Sequence, residues 1–136
     1  MGNTRAILCV DDEKIVLDSL QEQLETHFGS HFTYEIAESV DEAWEVIEDL
    51  TSDKVELALV ISDWLMPRTK GDEFLVGVYQ QYPKTITVML TGQADPDAVH
   101  NAMDNANLYA YIKKPWKETD LVDRIAKAFR ERGIEV

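Results

Sequence analysis

The chain has 136 residues, 45% of them apolar, which suffices for a single domain with a substantial core. A formal net charge of −13 argues against direct nucleic-acid binding, because phosphate backbones select basic faces; cations and basic protein patches are the expected partners. The single cysteine, Cys9, excludes an intrachain disulfide, and neither a leader-like opening nor an apolar run of membrane-spanning length is present. These features predict a soluble, cytoplasmic protein with no membrane contact, forming one domain over residues 1–136 with its core at about 5–132.

The first apolar run, Arg5 to Val10, reads as a strand and delivers Asp11 and Asp12 to its carboxyl end. A helix follows from about Glu13 to His27, with Val16, Leu20 and Leu24 on one face. Thr33 to Ala37 is a short, mixed second strand. Ser39 with Glu42 fits a capping box, and Ala43, Ile47 and Leu50 form the buried stripe of the second helix. Consecutive apolar residues from Leu57 to Ile61 then lead through Ser62 to Asp63, as in a parallel strand buried on both faces. Trp64-Leu65-Met66-Pro67 cannot continue that strand.

Gly71 precedes a third helix carrying Phe74, Leu75, Val78 and Tyr79, which ends by Pro83. Thr85 to Leu90 forms the fourth strand, placing Thr91 and Gly92 at its end. Asp95 as cap and Pro96 at the first helical position start the fourth helix, whose apolar stripe is Val99, Ala102 and Met103. The fifth strand, about Tyr109 to Ile112, ends before Lys114-Pro115. The last helix, about Glu118 to Arg132, buries Leu121, Val122, Ile125, Ala126 and Phe129 and stops at Gly133.

This alternation predicts an α/β fold of the flavodoxin-like (βα)5 type: a three-layer sandwich with a parallel five-stranded sheet in the order 2-1-3-4-5. Strands one and three then lie side by side, with the ligand crevice at their carboxyl ends, so that Asp11 and Asp12 approach Asp63. Singly, an Asp pair opening a helix is usually a cap, an Asp after a strand a turn former, and a lysine a solvated charge. Jointly they mean more. Three converging carboxylates repel unless a cation sits among them, and Mg²⁺ takes oxygen ligands while keeping waters. An ionised aspartate in such a site can attack phosphorus and form an acyl phosphate.

Four separated segments, Val10-Asp11-Asp12-Glu13, Ser62-Asp63-Trp64-Leu65-Met66-Pro67, Leu90-Thr91-Gly92 and Lys114-Pro115-Trp116, make the whole chain resemble a receiver domain of two-component response regulators, including the chemotaxis-regulator type. The resemblance implies that Asp63 is the phosphoacceptor. It implies that Asp11, Asp12, Asp63 and the backbone carbonyl of Leu65 bind Mg²⁺, with Mn²⁺ able to substitute. Lys114 and Thr91 would hold the phosphoryl group, Thr91 and Tyr111 would form the switch, and Leu65 and Gln93 would tune dephosphorylation. A cis Lys114-Pro115 bond is expected. Lys113 competes for the lysine role, but strand alternation sends adjacent side chains to opposite faces and the motif selects Lys114.

The implied function is signalling rather than enzymatic turnover. A histidine kinase or histidine phosphotransfer protein supplies the phosphoryl group, and the face of helix four, strand five and helix five controls an output domain or downstream protein, or forms a homodimer. The segment Arg68-Thr69-Lys70-Gly71 and the Gly92 after Thr91 depart from the commoner pattern; the two cations are expected to be solvated. Two other functions compete. A haloacid dehalogenase-like phosphatase would need an acid where Leu65 stands, and a phosphorylation-independent interaction module would not need the intact acids, threonine and lysine.

Overall fold

Five strands, β1 (Arg5–Val10), β2 (Thr33–Ala37), β3 (Glu56–Asp63), β4 (Ile86–Thr91) and β5 (Ala110–Lys113), pair in parallel in the order β2-β1-β3-β4-β5. The computed structural model describes residues 4–64, 66, 70–92 and 96–134. The helices are α1 (Lys14–Phe28), α2 (Val40–Ser52), α3 (Gly71–Gln81), α4 (Pro96–Asn105) and α5 (Glu118–Glu131). This is the doubly wound, flavodoxin-like arrangement that the sequence predicts. The expected Asp95 cap lies outside the described residues.

Two cores flank the sheet. Ile7, Cys9, Leu59, Ile61, Val88 and Leu90 face a layer built from α1 and α5. There Phe28 meets Phe129 edge-on at 5.4 Å, and Phe32 stacks on Phe129 at 4.8 Å. Such ring pairs contribute about 0.5–1.5 kcal/mol each beyond the area they bury. Ala6, Leu8, Val10, Val60 and Met89 face the opposite layer of α2, α3 and α4. In that layer Trp44 of α2 packs edge-on against Phe74 of α3 at 5.2 Å, a close approach that Gly77 leaves room for. Cys9 is buried, and burial together with the charge of Asp11 pushes its thiol up to about 12.

The register between β1 and β3 shifts by one residue. Ala6 pairs with Leu57 and Ile7 with Leu59, so Ala58 is extra and both Ala58 and Leu59 turn toward α1 and α5. A single extra residue reverses which face every later side chain on a strand takes. The bulge therefore sets the phase in which β3 reaches Asp63, opposite the end of β1.

Helix ends follow local chemistry. The Ser39 hydroxyl accepts the Glu42 amide at 3.1 Å, and Gly29 and Gly133 take positive φ where α1 and α5 stop. Four sequence expectations shift. On α1, Leu17 joins Leu20, Leu24 and Phe28 in the core while Val16 is half-buried. On α5, Ala128 is buried and Ala126 only half so. On α4, Met103 is 53% exposed, because the helix rests on Val99 and Ala102, with Ala106 just past its end, and turns Met103 toward a groove beside β5. Gly71 is the first residue of α3 rather than the one before it. Among the described residues no helix is long and apolar enough to cross a membrane.

Candidate functional site

The pairing of Val10 with Ser62 brings the ends of β1 and β3 together, and with them their acids. Carboxylate oxygens of Asp11, Asp12 and Asp63 lie within 4.8 Å of one another. Asp11 is fully buried and Asp63 is 6% exposed, while Asp12 faces solvent. Asp11 is also held locally, since its Oδ1 accepts the Glu13 amide at 2.8 Å and its own amide donates to the Ala37 carbonyl at 3.1 Å.

Lys114 enters this cluster from the end of β5. Its Nζ donates to Asp11 Oδ2 at 2.8 Å and lies 3.1 Å from Asp63 Oδ1, with Glu13 Oε1 further off at 3.9 Å. Its amide donates to the Thr91 carbonyl at 2.8 Å, which ties the ends of β4 and β5 together, and the Lys114-Pro115 peptide is cis. Lys113 is exposed, as strand alternation requires.

One ammonium among three carboxylates leaves the pocket short of positive charge. Burial and the charge of Asp11 push the Asp63 carboxyl up to about 6, with Asp12 adding to the rise and Lys114 opposing it. For Lys114 burial works downward, but its hydrogen bond to Asp11 and the charge of Asp63 outweigh that, and the ammonium is held above the usual lysine value. An all-oxygen donor set, partly open to solvent through Asp12, fits a hard divalent cation of the Mg²⁺ type.

Thr91 ends β4 beside Asp63 and is 2% exposed. Tyr111 sits on β5 opposite Met89 with its side chain 47% exposed. It borders a groove of about 740 Å³ with Met103, Lys113, Trp116, Lys117 and Arg124. The sequence-derived ligand Leu65 and the tuning position Gln93 lie outside the described residues, as does Arg68. Lys70 is exposed, its Nζ 6.0 Å from the centroid of the Trp64 ring.

Two contributors carried no role in the sequence reading. Glu13 orders Asp11 through its amide and stands near Lys114; its place beside the acid pair was visible, its use of the backbone was not. Gly71 donates to the Trp64 carbonyl at 2.7 Å, and a Cβ there would collide with the Asp63 carbonyl oxygen. The start of α3 thus presses directly on the backbone of Asp63.

A parallel doubly wound sheet thus gathers acids from the ends of β1 and β3 and a lysine from the end of β5 around one crevice. The chain belongs to the response regulator receiver domain family, whose model matches residues 7–126, and so to two-component signalling. It is similar to a CheY-like response regulator receiver domain protein from Methanospirillum hungatei, at 30% identity and TM-score 0.84, covering 97% of this chain and 98% of that one. It is also similar to the signal receiver domain of an HD domain-containing protein from Pseudomonas fluorescens, at 27% identity and TM-score 0.83, covering 96% and 98%. The hydrogenase transcriptional regulatory protein HoxA of Cupriavidus necator is 27% identical over 95% of the chain, which spans 25% of that protein's length.

Proposed function

We propose that this domain takes a phosphoryl group onto Asp63 from a histidine kinase or histidine phosphotransfer protein. The observation that carries the reading is Lys114 bridging Asp11 and Asp63 at 2.8 and 3.1 Å in a pocket that still lacks positive charge. Asp11, Asp12 and Asp63, with the backbone carbonyl of Leu65, would hold Mg²⁺ or Mn²⁺. When bound, the ion neutralises phosphoryl oxygens and lowers the repulsion that an anionic nucleophile meets.

A carboxylate oxygen of Asp63 attacks phosphorus, the bond from phosphorus to the donor nitrogen breaks, and the departing imidazole keeps the electron pair and takes its proton from solvent. Lys114 moves from Asp63 onto the new phosphoryl oxygens, where its charge is worth most. A phosphoryl group adds about −1.5 to −2 charge, and the Thr91 hydroxyl is the neighbouring donor to it. Drawing Thr91 inward shifts the segment leading into α4 and opens the space that Tyr111, now half-exposed, turns into. The α4–β5–α5 face then changes shape toward an output domain, a downstream protein or a second copy of the chain. The setting is cytoplasmic, and the single domain spans 1–136.

Acetyl phosphate with Mg²⁺ tests this. Intact mass should rise by one phosphoryl group, hydroxylamine should remove it, and chelator or Asp63→Ala should prevent it. No adduct, or an adduct that survives Asp63→Ala, would leave a phosphorylation-independent interaction module as the better reading.

A further inference from the structure

Apolar residues of α3 and α4, among them Leu75, Val78, Val99 and Ala102, share one core cluster, and a polar bond crosses it. Asp72, in the first turn of α3, is 6% exposed. Its Oδ2 accepts Asn101 Nδ2 of α4 at 2.8 Å, and Asn101 Oδ1 in turn accepts Asn105 Nδ2 at 2.7 Å. The second carboxyl oxygen of Asp72 is buried with no hydrogen-bond partner among the described residues. An acid in a first helical turn complements the helix dipole from an exposed position, as the neighbouring Glu73 can. Burying it with one oxygen unpaired costs stability that an apolar residue would not. Packing and dipole therefore do not account for Asp72, and its bond to α4 is what remains.

The two ends of that bond are anchored very differently. Gly71 fixes Asp72 to the backbone of Asp63 and Trp64, leaving no room for even a methyl group. By contrast α4 buries only Val99 and Ala102 among its described side chains, with Ala106 just past its end. We infer that the Asp72–Asn101 bond is a latch that holds α4 in the position seen here and so opposes the switched state. This rests on the reading of Asp63 as phosphoacceptor: modification there draws on the segment leading into α4, and α4 moves only as Asn101 leaves Asp72. Removing the latch should raise the population competent for the switch, and apparent affinity for a ligand of that state rises in proportion.

The test uses Asn101→Ala, which removes the bond at a half-buried helical position, with Asp72→Asn as the variant that keeps an acceptor for Asn101. Amide hydrogen exchange reads α4 directly, and beryllofluoride with Mg²⁺, a phosphoryl mimic, reads the switch. Asn101→Ala should exchange its α4 amides about tenfold faster with α1 and α5 unchanged, and bind beryllofluoride about threefold or more tighter, while Asp72→Asn stays near wild type. Simple structural damage would weaken beryllofluoride binding instead. Unchanged α4 exchange overturns the inference, and so does faster exchange without tighter binding. A wild type that binds no beryllofluoride at all refutes the phosphoacceptor reading, and the exchange comparison then decides by itself whether the bond holds α4.

Discussion

Lys114 sits closer to Asp11 than to Asp63, with its ammonium 2.8 Å from the first carboxylate and 3.1 Å from the second. It is thus the cation that the acid cluster already owns, and a divalent ion entering the pocket must share the carboxylates with it. Lys114→Met should lower metal-free stability by about 1–3 kcal/mol, because buried acids lose their partner. The same change should tighten Mg²⁺ binding by about tenfold as the competing charge disappears. Urea unfolding in chelator and across a Mg²⁺ titration checks both, and weaker Mg²⁺ binding would contradict the competition.

Asp63 gives the metal-free protein a defined pH dependence. Its carboxyl titrates near 6 when folded against an ordinary value near 3.8, so the folded chain binds more protons than the unfolded chain between those values. Stability must then fall as pH rises through that window. Relative to Asp63→Asn, the metal-free wild type should lose roughly 1–3 kcal/mol between about pH 4 and pH 7. Saturating Mg²⁺ should abolish the difference. Urea midpoints at stepped pH for both proteins measure it, and parallel curves would show that Asp63 carries no such burden.

Gly71→Ala drives a methyl group into the Asp63 carbonyl. A loss of about 3 kcal/mol is expected, together with slower phosphorylation of whatever protein remains folded. Thermal unfolding and acetyl phosphate labelling follow the two effects separately; wild-type behaviour in both would mean that the start of α3 can retreat without disturbing β3.

Leu65 cannot orient a water by hydrogen bonding, whereas asparagine can. Leu65→Asn should therefore shorten the lifetime of the aspartyl phosphate by about threefold or more. Phosphate release after a pulse of acetyl phosphate reads the two rates, and equal decay would remove Leu65 from the account.

Much of the site is legible in the sequence itself. Apolar runs ending in Asp11, Asp63, Thr91 and Lys114 placed the site residues on strand ends, and topology did the rest, since the order 2-1-3-4-5 sets β1 against β3. The hidden features depend on residues far apart in sequence. The extra residue at Ala58 cannot be seen in a continuous apolar run, where both faces read alike. Met103 fits the periodicity of α4, but which side of a thin stripe meets the sheet is settled by packing on β5 and its groove. Asp72 carries no distinguishing signal in the sequence, and only the approach of Asn101 makes it a link between helices.

The burial of Cys9 has a practical use. Thiolates are the reactive form, and a thiol enclosed beneath α1 and α5 and titrating near 12 will not react with maleimides at neutral pH. Because the chain has no other cysteine, Met103→Cys would introduce one addressable handle on the α4–β5–α5 surface. A fluorophore or spin label there could follow the face in real time, with the native sulfur left in place.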